Sequence, residues 1–194
     1  MRFTILAAEW NAKLVALAKV MNSKVALPIY STFLLELKDG VLRITASDMD
    51  CSRCSTLPVM DMDRANEHNG SLCVTASFLL DSLKNLGDQP VTFEADEENL
   101  SVVIRYNNGQ FDMVGFPAKD YALPGTMGKS VQVTIEASVL NDSIGKSLYA
   151  VGNDDLRPIF SGIYFTKKGD ELQCATTNGS MLVRNTYKVE NDGQ

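Results

Sequence analysis

The chain has 194 residues, of which 45% are hydrophobic and 22% charged, and a formal net charge of −6 at pH 7. That length and apolar content suffice for a packed core and exclude a disordered tail, while the acidic balance excludes a surface that grips nucleic acid on every side. Residues 1–125 carry 11 basic and 16 acidic side chains and residues 126–194 carry 7 and 8, so any basic surface is local.

In chain order, "RFTIL" alternates like a short strand, and Ala7–Asn22 places Trp10, Leu14, Leu17 and Met21 at the spacing of a helix with one buried face. Pro28 then forces an extended approach to two strands, "STFLLEL" and "VLRITAS", joined by a tight Asp39-Gly40 turn, and "CSRCSTLPV" adds a further strand. The order repeats with the strand "SLCVTA", a helix ending at Gly87, and the strands "PVTFEAD", "NLSVVIRY" and "QFDMVGF". It repeats again with "SVQVTIE", a helix over Ala137–Gly152, and the strands "IFSGIYFTK", "LQCATT" and "MLVRNTYKV".

The copies are legible as self-similarity. An ungapped offset of 130 places Thr4 on Thr134, Ile5 on Ile135, Pro28 on Pro158, Ile29 on Ile159 and Ser31 on Ser161, and an offset of 61 places "ASFLLDSL" on "ASVLNDSI". Each unit is strand, helix, strand, strand, strand, which predicts an α+β fold. One such unit has a sheet and a single helix, too little to bury its own core, so units should pair. The first two, at about 1–65 and 70–117, make one domain over 1–125 with Pro117–Ser130 as linker. The third, 126–194, is an incomplete second domain whose apolar face and sheet edges invite association. Two chains that paired their third units about a two-fold axis would make an arc of three domains, and two arcs a ring.

Catalytic and metal chemistry is poorly represented. The single histidine, His68, lies in a polar loop, and "CSRC" (Cys51, Cys54) lacks the second ligand pair of a structural zinc site, so neither an enzyme nor a cofactor is expected. The acidic run Glu94–Leu100 reads as a solvated turn between strands. No stretch approaches the roughly 18–20 apolar residues of a membrane span, and the start lacks a signal-peptide pattern, so a soluble cytoplasmic protein without a membrane partner is expected.

The paired strand-helix-three-strand units, "LPI" before a "LxLxDGxLxITASD" hairpin, "FPAKDYALP" at the junction, "LRPIFSGIYF", and a hairpin ending "ATTNGSMLV" resemble the sliding-clamp family, the beta subunits of bacterial DNA polymerase III. The resemblance covers essentially the whole chain but about half the family's length. It implies a DNA-clamp fold, a homo-oligomeric ring whose helices line a hole for duplex DNA, and a processivity role as a tether of the replicative polymerase. A lining of spaced cations would hold the duplex through water while letting it slide. Candidates are Lys13, Lys19 and Lys24 in and after the first helix, Lys84 in the second, Lys146 in the third, and Arg157; Lys24 and Lys84 match the family's basic positions best. Ser77 and Phe78 stand where the family often carries basic residues, and Glu9, Asp81, Asp88 and Asp142 offset the cations. The resemblance also implies a pocket for a short peptide of the polymerase and clamp loader. Thr177, Gly179 and Leu182 keep its signature, Asn178, Ser180 and Met181 depart from it, and Phe160 replaces an aliphatic lining residue. The alternative is a clamp-derived interaction module that no longer encircles DNA, with "TNG" an ordinary strand-ending turn.

Overall fold

A computed structural model describes residues 1–21, 27–60, 69–123, 133–153 and 156–189. The chain divides into two units, Met1–Thr126 and Met127–Gln194.

In the first unit, strand β1 (Arg2–Leu6) turns Phe3 and Ile5 inward and leads directly into helix α1 (Ala7–Ala18), which buries Ala7, Trp10, Leu14 and Leu17 along one stripe. The helix stops short of the expected Asn22, because the amides of Val20 and Met21 bond three residues back, to the carbonyls of Leu17 and Ala18, and tighten the last turn. Leu27 is extended, as a residue before proline should be, but Pro28 opens a 3₁₀ turn over Pro28–Ser31 rather than continuing a strand. Strands β2 (Thr32–Lys38), β3 (Val41–Ser47) and β4 (Ser52–Pro58) follow. Asp39 and Gly40 both take positive φ, 51° and 74°, the backbone of a two-residue hairpin turn.

The second copy supplies β5 (Gly70–Thr75), α2 (Ala76–Lys84), β6 (Pro90–Ala95), β7 (Ser101–Tyr106), β8 (Gly109–Val114) and a short β9 (Phe116–Pro117). Here α2 ends at Lys84 rather than Gly87, and Gly87, at φ 64°, supplies the left-handed turn that follows. The Glu94–Leu100 run is a capped turn between β6 and β7, with the Asp96 carboxylate accepting from the Glu98 amide at 2.9 Å and from Asn99 Nδ2 at 2.7 Å.

The two copies do not keep their own strands. The sheets run β4-β3-β2-β5-β9 and β1-β6-β7-β8, so each copy's first strand lies in the other's sheet. The pairing is antiparallel, with Thr32 opposite Thr75 through Leu37 opposite Gly70, and Arg2 opposite Glu94 through Leu6 opposite Pro90. This exchange places Phe3 on Phe93, stacked at 4.9 Å, with Trp10 edge-on to both at 5.4 and 5.8 Å. Helices α1 and α2 pack side by side beneath the two sheets. The core of the unit is therefore shared by the copies and belongs to neither alone.

A smaller cluster of Tyr30, Leu34, Cys73 and Tyr121 forms on the other face of the five-stranded sheet. Tyr30 donates its hydroxyl to the Ala122 carbonyl at 3.0 Å and meets Tyr121 edge-on at 5.5 Å. The start of the expected linker is thereby ordered through Leu123; residues 124–130 lie outside the described residues. At Gly115 a β-carbon would fall 2.6 Å from Leu72 Cδ2 and 2.9 Å from the Cys73 carbonyl oxygen, so only glycine lets the chain cross to β9 there.

The second unit contains α3 (Ala137–Ser147), 3₁₀ turns at Leu148–Ala150 and Pro158–Ser161, and strands β10 (Tyr164–Lys168), β11 (Glu171–Thr177) and β12 (Leu182–Lys188) in one three-stranded antiparallel sheet. The offset of 130 that relates the sequences also superposes the elements: β3 maps onto β11, β4 onto β12 and the Pro28 turn onto the Pro158 turn, without a gap. Three expectations need correction. The helix gives way at Ser147 to a 3₁₀ turn instead of running to Gly152, and "IFSGIYFTK" opens as a 3₁₀ turn before its strand. Within "SVQVTIE", Val133–Glu136 form no strand, because in the first unit the equivalent strand is held by the opposite copy's sheet. Residues 130–132 lie outside the described residues.

Candidate nucleic-acid interface and peptide pocket

The solvent faces of α1 and α2 carry Lys13 and Lys84, both exposed, and Lys19 caps the end of α1. Three of the candidate cations stand at helix C-termini: Lys19 at α1, Lys84 in the last turn of α2 and Lys146 in the last turn of α3. A cation there offsets the partial negative charge of the unpaired carbonyls, so the fold has its own use for these side chains. The faces are otherwise mixed, with Glu9, Asp81, Val15 and Phe78 also exposed.

Arg53 is a cation that no motif or spacing in the residue order singles out. From β4 it donates Nη1 to the Ala16 carbonyl at 3.0 Å, which brings a second exposed positive group to the end of α1 near Lys19. Only the packing of β4 against α1 creates that neighbourhood. Lys24 and His68 lie outside the described residues.

Lys146 is committed locally. Its Nζ sits 2.7 Å from Asp142 Oδ2, one turn earlier on α3, and 5.9 Å from the centre of the Tyr187 ring. The hydrogen bond from Lys146 holds the Asp142 carboxyl below the usual carboxylate range, and the same bond raises the lysine. Arg157 is exposed and lies over the Phe160 ring at 4.8 Å, a cation–π contact. The candidates thus differ: Lys13, Lys19 and Lys84 project from helices of the first unit, whereas Lys146 and Arg157 are engaged with neighbours of the second.

The four pocket candidates are brought to one end of the β11–β12 hairpin. Thr177 and Leu182 are opposite each other as its closing pair. Phe160 reaches them through Gly152, whose amide donates to the Phe160 carbonyl at 2.8 Å, and its ring lies 3.8 Å from where a β-carbon of Gly179 would be. Leu182 is 73% exposed, and Met181 beside it in sequence and Ile159 beside Phe160 are exposed as well, so apolar surface is available to an inserted side chain.

The turn itself is built by side-chain caps. Asn178 Oδ1 accepts from the amides of Ser180 and Met181 at 3.0 and 2.9 Å, Thr177 Oγ1 donates to the Met181 carbonyl at 2.6 Å, and Gly179 takes φ 91°. The same device recurs 130 residues earlier. Asp48 Oδ1 accepts from Asp50 and Cys51, Ser47 Oγ donates to the Cys51 carbonyl at 2.9 Å, and Met49 takes φ 85°. "TNG" is therefore a repeated strand-ending turn, and the Asp-to-Asn change keeps the oxygen that caps it.

"CSRC" places Cys51 just before β4 and Cys54 within it, both exposed, and Arg43 Nη2 lies 3.9 Å from Cys54 Sγ. Among the described residues no three His, Cys, Asp or Glu side chains converge as a metal site. No helix of the described residues is long and apolar enough to cross a membrane.

Comparison with known proteins gives a consistent result. Residues 1–124 match the family described as DNA polymerase III beta subunit, N-terminal domain. The Beta sliding clamp of Bacillus subtilis is 25% identical over 193 residues, covering 98% of this chain and 51% of the relative, and that of Staphylococcus epidermidis is 23% identical over 197 residues. The DNA polymerase III subunit beta of Pseudomonas aeruginosa superposes with a TM-score of 0.89 at 24% identity, covering 100% of this chain and 51% of that one. The sliding clamp of Bacillus subtilis superposes with a TM-score of 0.86 at 23% identity, covering 97% and 50%. The chain spans about half the length of the curated relatives it matches.

Proposed function

The chain belongs to the DNA polymerase III beta-subunit family, and on that premise we propose that it works as a sliding-clamp homologue, a non-catalytic tether on duplex DNA that acts as a homo-oligomer in the cytoplasm. The observation that carries this reading is that the third copy, beyond the matched N-terminal domain, keeps the helix, the proline-led 3₁₀ turn and the three following strands of the first copy at the offset of 130. A chain reduced to a single binding domain has no need of a further copy.

In this reading Lys13, Lys19, Lys84 and Lys24 face phosphates, with Arg53 joining them at the end of α1, and Lys146 and Arg157 contribute less because each already holds a neighbour. Contacts of this kind are sequence-independent and weaken steeply with salt. Phe160, Thr177, Gly179 and Leu182 form the floor on which a short apolar segment of the replicative polymerase or clamp loader docks. One observation favours a second reading, an interaction module that no longer encircles DNA: the exposed faces of α1 and α2 mix Val15 and Phe78 with offset charges.

The test separates topology from affinity. The protein is incubated with nicked circular duplex, separated by gel filtration at moderate salt, and the DNA is then linearised. Retention on the circle and release from the linear form support the tether. Equal retention on both, or none on either, refutes it. Lys13→Glu combined with Lys84→Glu should reduce retention on the circle.

A further inference from the structure

We propose that the first unit has a peptide cleft of its own, a counterpart of the pocket around Phe160 and Thr177, and that residues 118–123 close it as a releasable strap plugged by Tyr121. The partner that fits it is a short extended segment with one aromatic side chain followed by a free backbone carbonyl. The inference deepens the pocket reading above and rests on it only for the comparison between the units; its tests are read inside the first unit.

The offset of 130 locates the cleft. Tyr30 corresponds to Phe160, each the third residue of its proline-led 3₁₀ turn, and Ser47 corresponds to Thr177, each the last residue of its strand. In the first unit this place is filled. Tyr121 is 6% exposed and clusters with Tyr30, Leu34 and Cys73, its ring edge-on to that of Tyr30 at 5.5 Å.

The segment is seated like a bound peptide rather than like a core strand. Of residues 116–123 only Tyr121 is buried, while Asp120 before it and Ala122 after it are exposed. One anchored side chain in an exposed stretch is how short segments dock. Backbone pairing with β5 covers only Phe116 and Pro117, and past it the Tyr30 hydroxyl donates to the Ala122 carbonyl at 3.0 Å. Phe160 has no hydroxyl, so the pocket of the second unit lacks this clasp.

The plug is also imperfect. The Tyr121 hydroxyl reaches the Ser47 backbone without completing a hydrogen bond, and it is buried with no other partner. Opening the strap hydrates that group and uncovers Cys73, which is 0% exposed in the same cluster. A strap held by one ring, the Tyr30 hydrogen bond and a two-residue strand opens at less cost than the core around Trp10, a separate cluster of the same unit.

Cys73 reports on the cleft without DNA and without the second unit. In the full chain, its modification by a small thiol reagent, located by peptide mass mapping, should be slow and nearly independent of urea well below the Trp10 unfolding transition. Tyr121→Ala should speed it at least about tenfold while the Trp10 transition persists. A synthetic peptide of residues 117–123 should restore the protection, and the same peptide with alanine in place of its tyrosine should not. Tyr121→Phe, which keeps the ring and removes the unpaired hydroxyl, should slow the modification severalfold. Should Tyr121→Ala fail to fold, the urea dependence and Tyr121→Phe decide. Modification that follows Trp10 unfolding at every urea concentration would overturn the proposal and make the segment a fixed part of the fold. So would an unchanged rate in folded Tyr121→Ala, or a peptide that gives it no protection. Loss of peptide binding around Phe160 alters none of these readings, so the two failures are distinguishable.

Discussion

Replacing Phe3 with alanine tests the strand exchange at its centre. Phe3 is 1% exposed, stacked on Phe93 of the other copy and edge-on to Trp10. Burying a phenylalanine and then deleting it costs about 3–5 kcal/mol in a core that relaxes little. Two features put this site near about 4 kcal/mol: aromatic contacts add to area burial, and backbone pairing to β6 prevents β1 from moving into the cavity. Against a typical domain stability of about 5–15 kcal/mol, that loss is a large share. The only tryptophan, Trp10, lies in this core, so its fluorescence in a urea titration reports the first unit alone. With a urea slope of about 2 kcal/mol per molar, the midpoint should fall by about 2 M. The equivalent residue in the third unit, Val133, is 43% exposed, and Val133→Ala should leave this transition in place. A loss below about 1 kcal/mol for Phe3→Ala would refute a shared core, since truncation of a well-packed buried ring cannot be that small.

In native protein a thiol reagent should modify Cys51 and Cys54, which are exposed, and spare Cys73 and Cys174, which are buried; denaturant should release all four. Burial pushes the Cys73 thiol from 9.0 up to about 12 and raises the Tyr121 hydroxyl beside it in the same direction. Both groups are therefore held neutral by the fold. Their contribution is fully present below pH 9 and is lost as pH rises toward 12, so melting temperature should drop over that window, less so in Cys73→Ala. Gly179→Ala should destabilise the second unit by about 1–2 kcal/mol, because a side chain is forced to the left-handed φ, and Met49→Gly should stabilise the first by up to about 1 kcal/mol; thermal melts check both. In a carboxyl NMR titration Asp142 should ionise below the ordinary aspartate range and move up toward it in Lys146→Met, which removes the largest cause of the shift.

Much of the fold was legible because its signals are local. The 3.6-residue stripe of Trp10, Leu14 and Leu17 marks a helix in isolation, and Asp39-Gly40 marks a turn by its own backbone preference. The helix ends were overrun for a related reason: Met21 keeps the apolar spacing and packs against the core after the helix has tightened into a turn. The candidate site was less legible. Lys84 and Lys146 look alike in sequence, each in the last turn of its helix, but only Lys146 stands four residues after an aspartate, Asp142, and pairs with it. Arg53 carried no signal, since its approach to Ala16 depends on where a distant strand packs.

Residue order alone marks three copies of one strand-helix-three-strand unit, since repetition and hydrophobic period belong to it. Whose sheet the first strands of the first two copies complete emerges from packing in three dimensions. A strand's backbone groups are satisfied equally well by any adjacent edge, and nothing in the alternation of "RFTIL" or "SLCVT" says which edge that is. The choice rests on which edge places Phe3 on Phe93 and Leu72 beside Leu35, burying both sides at once.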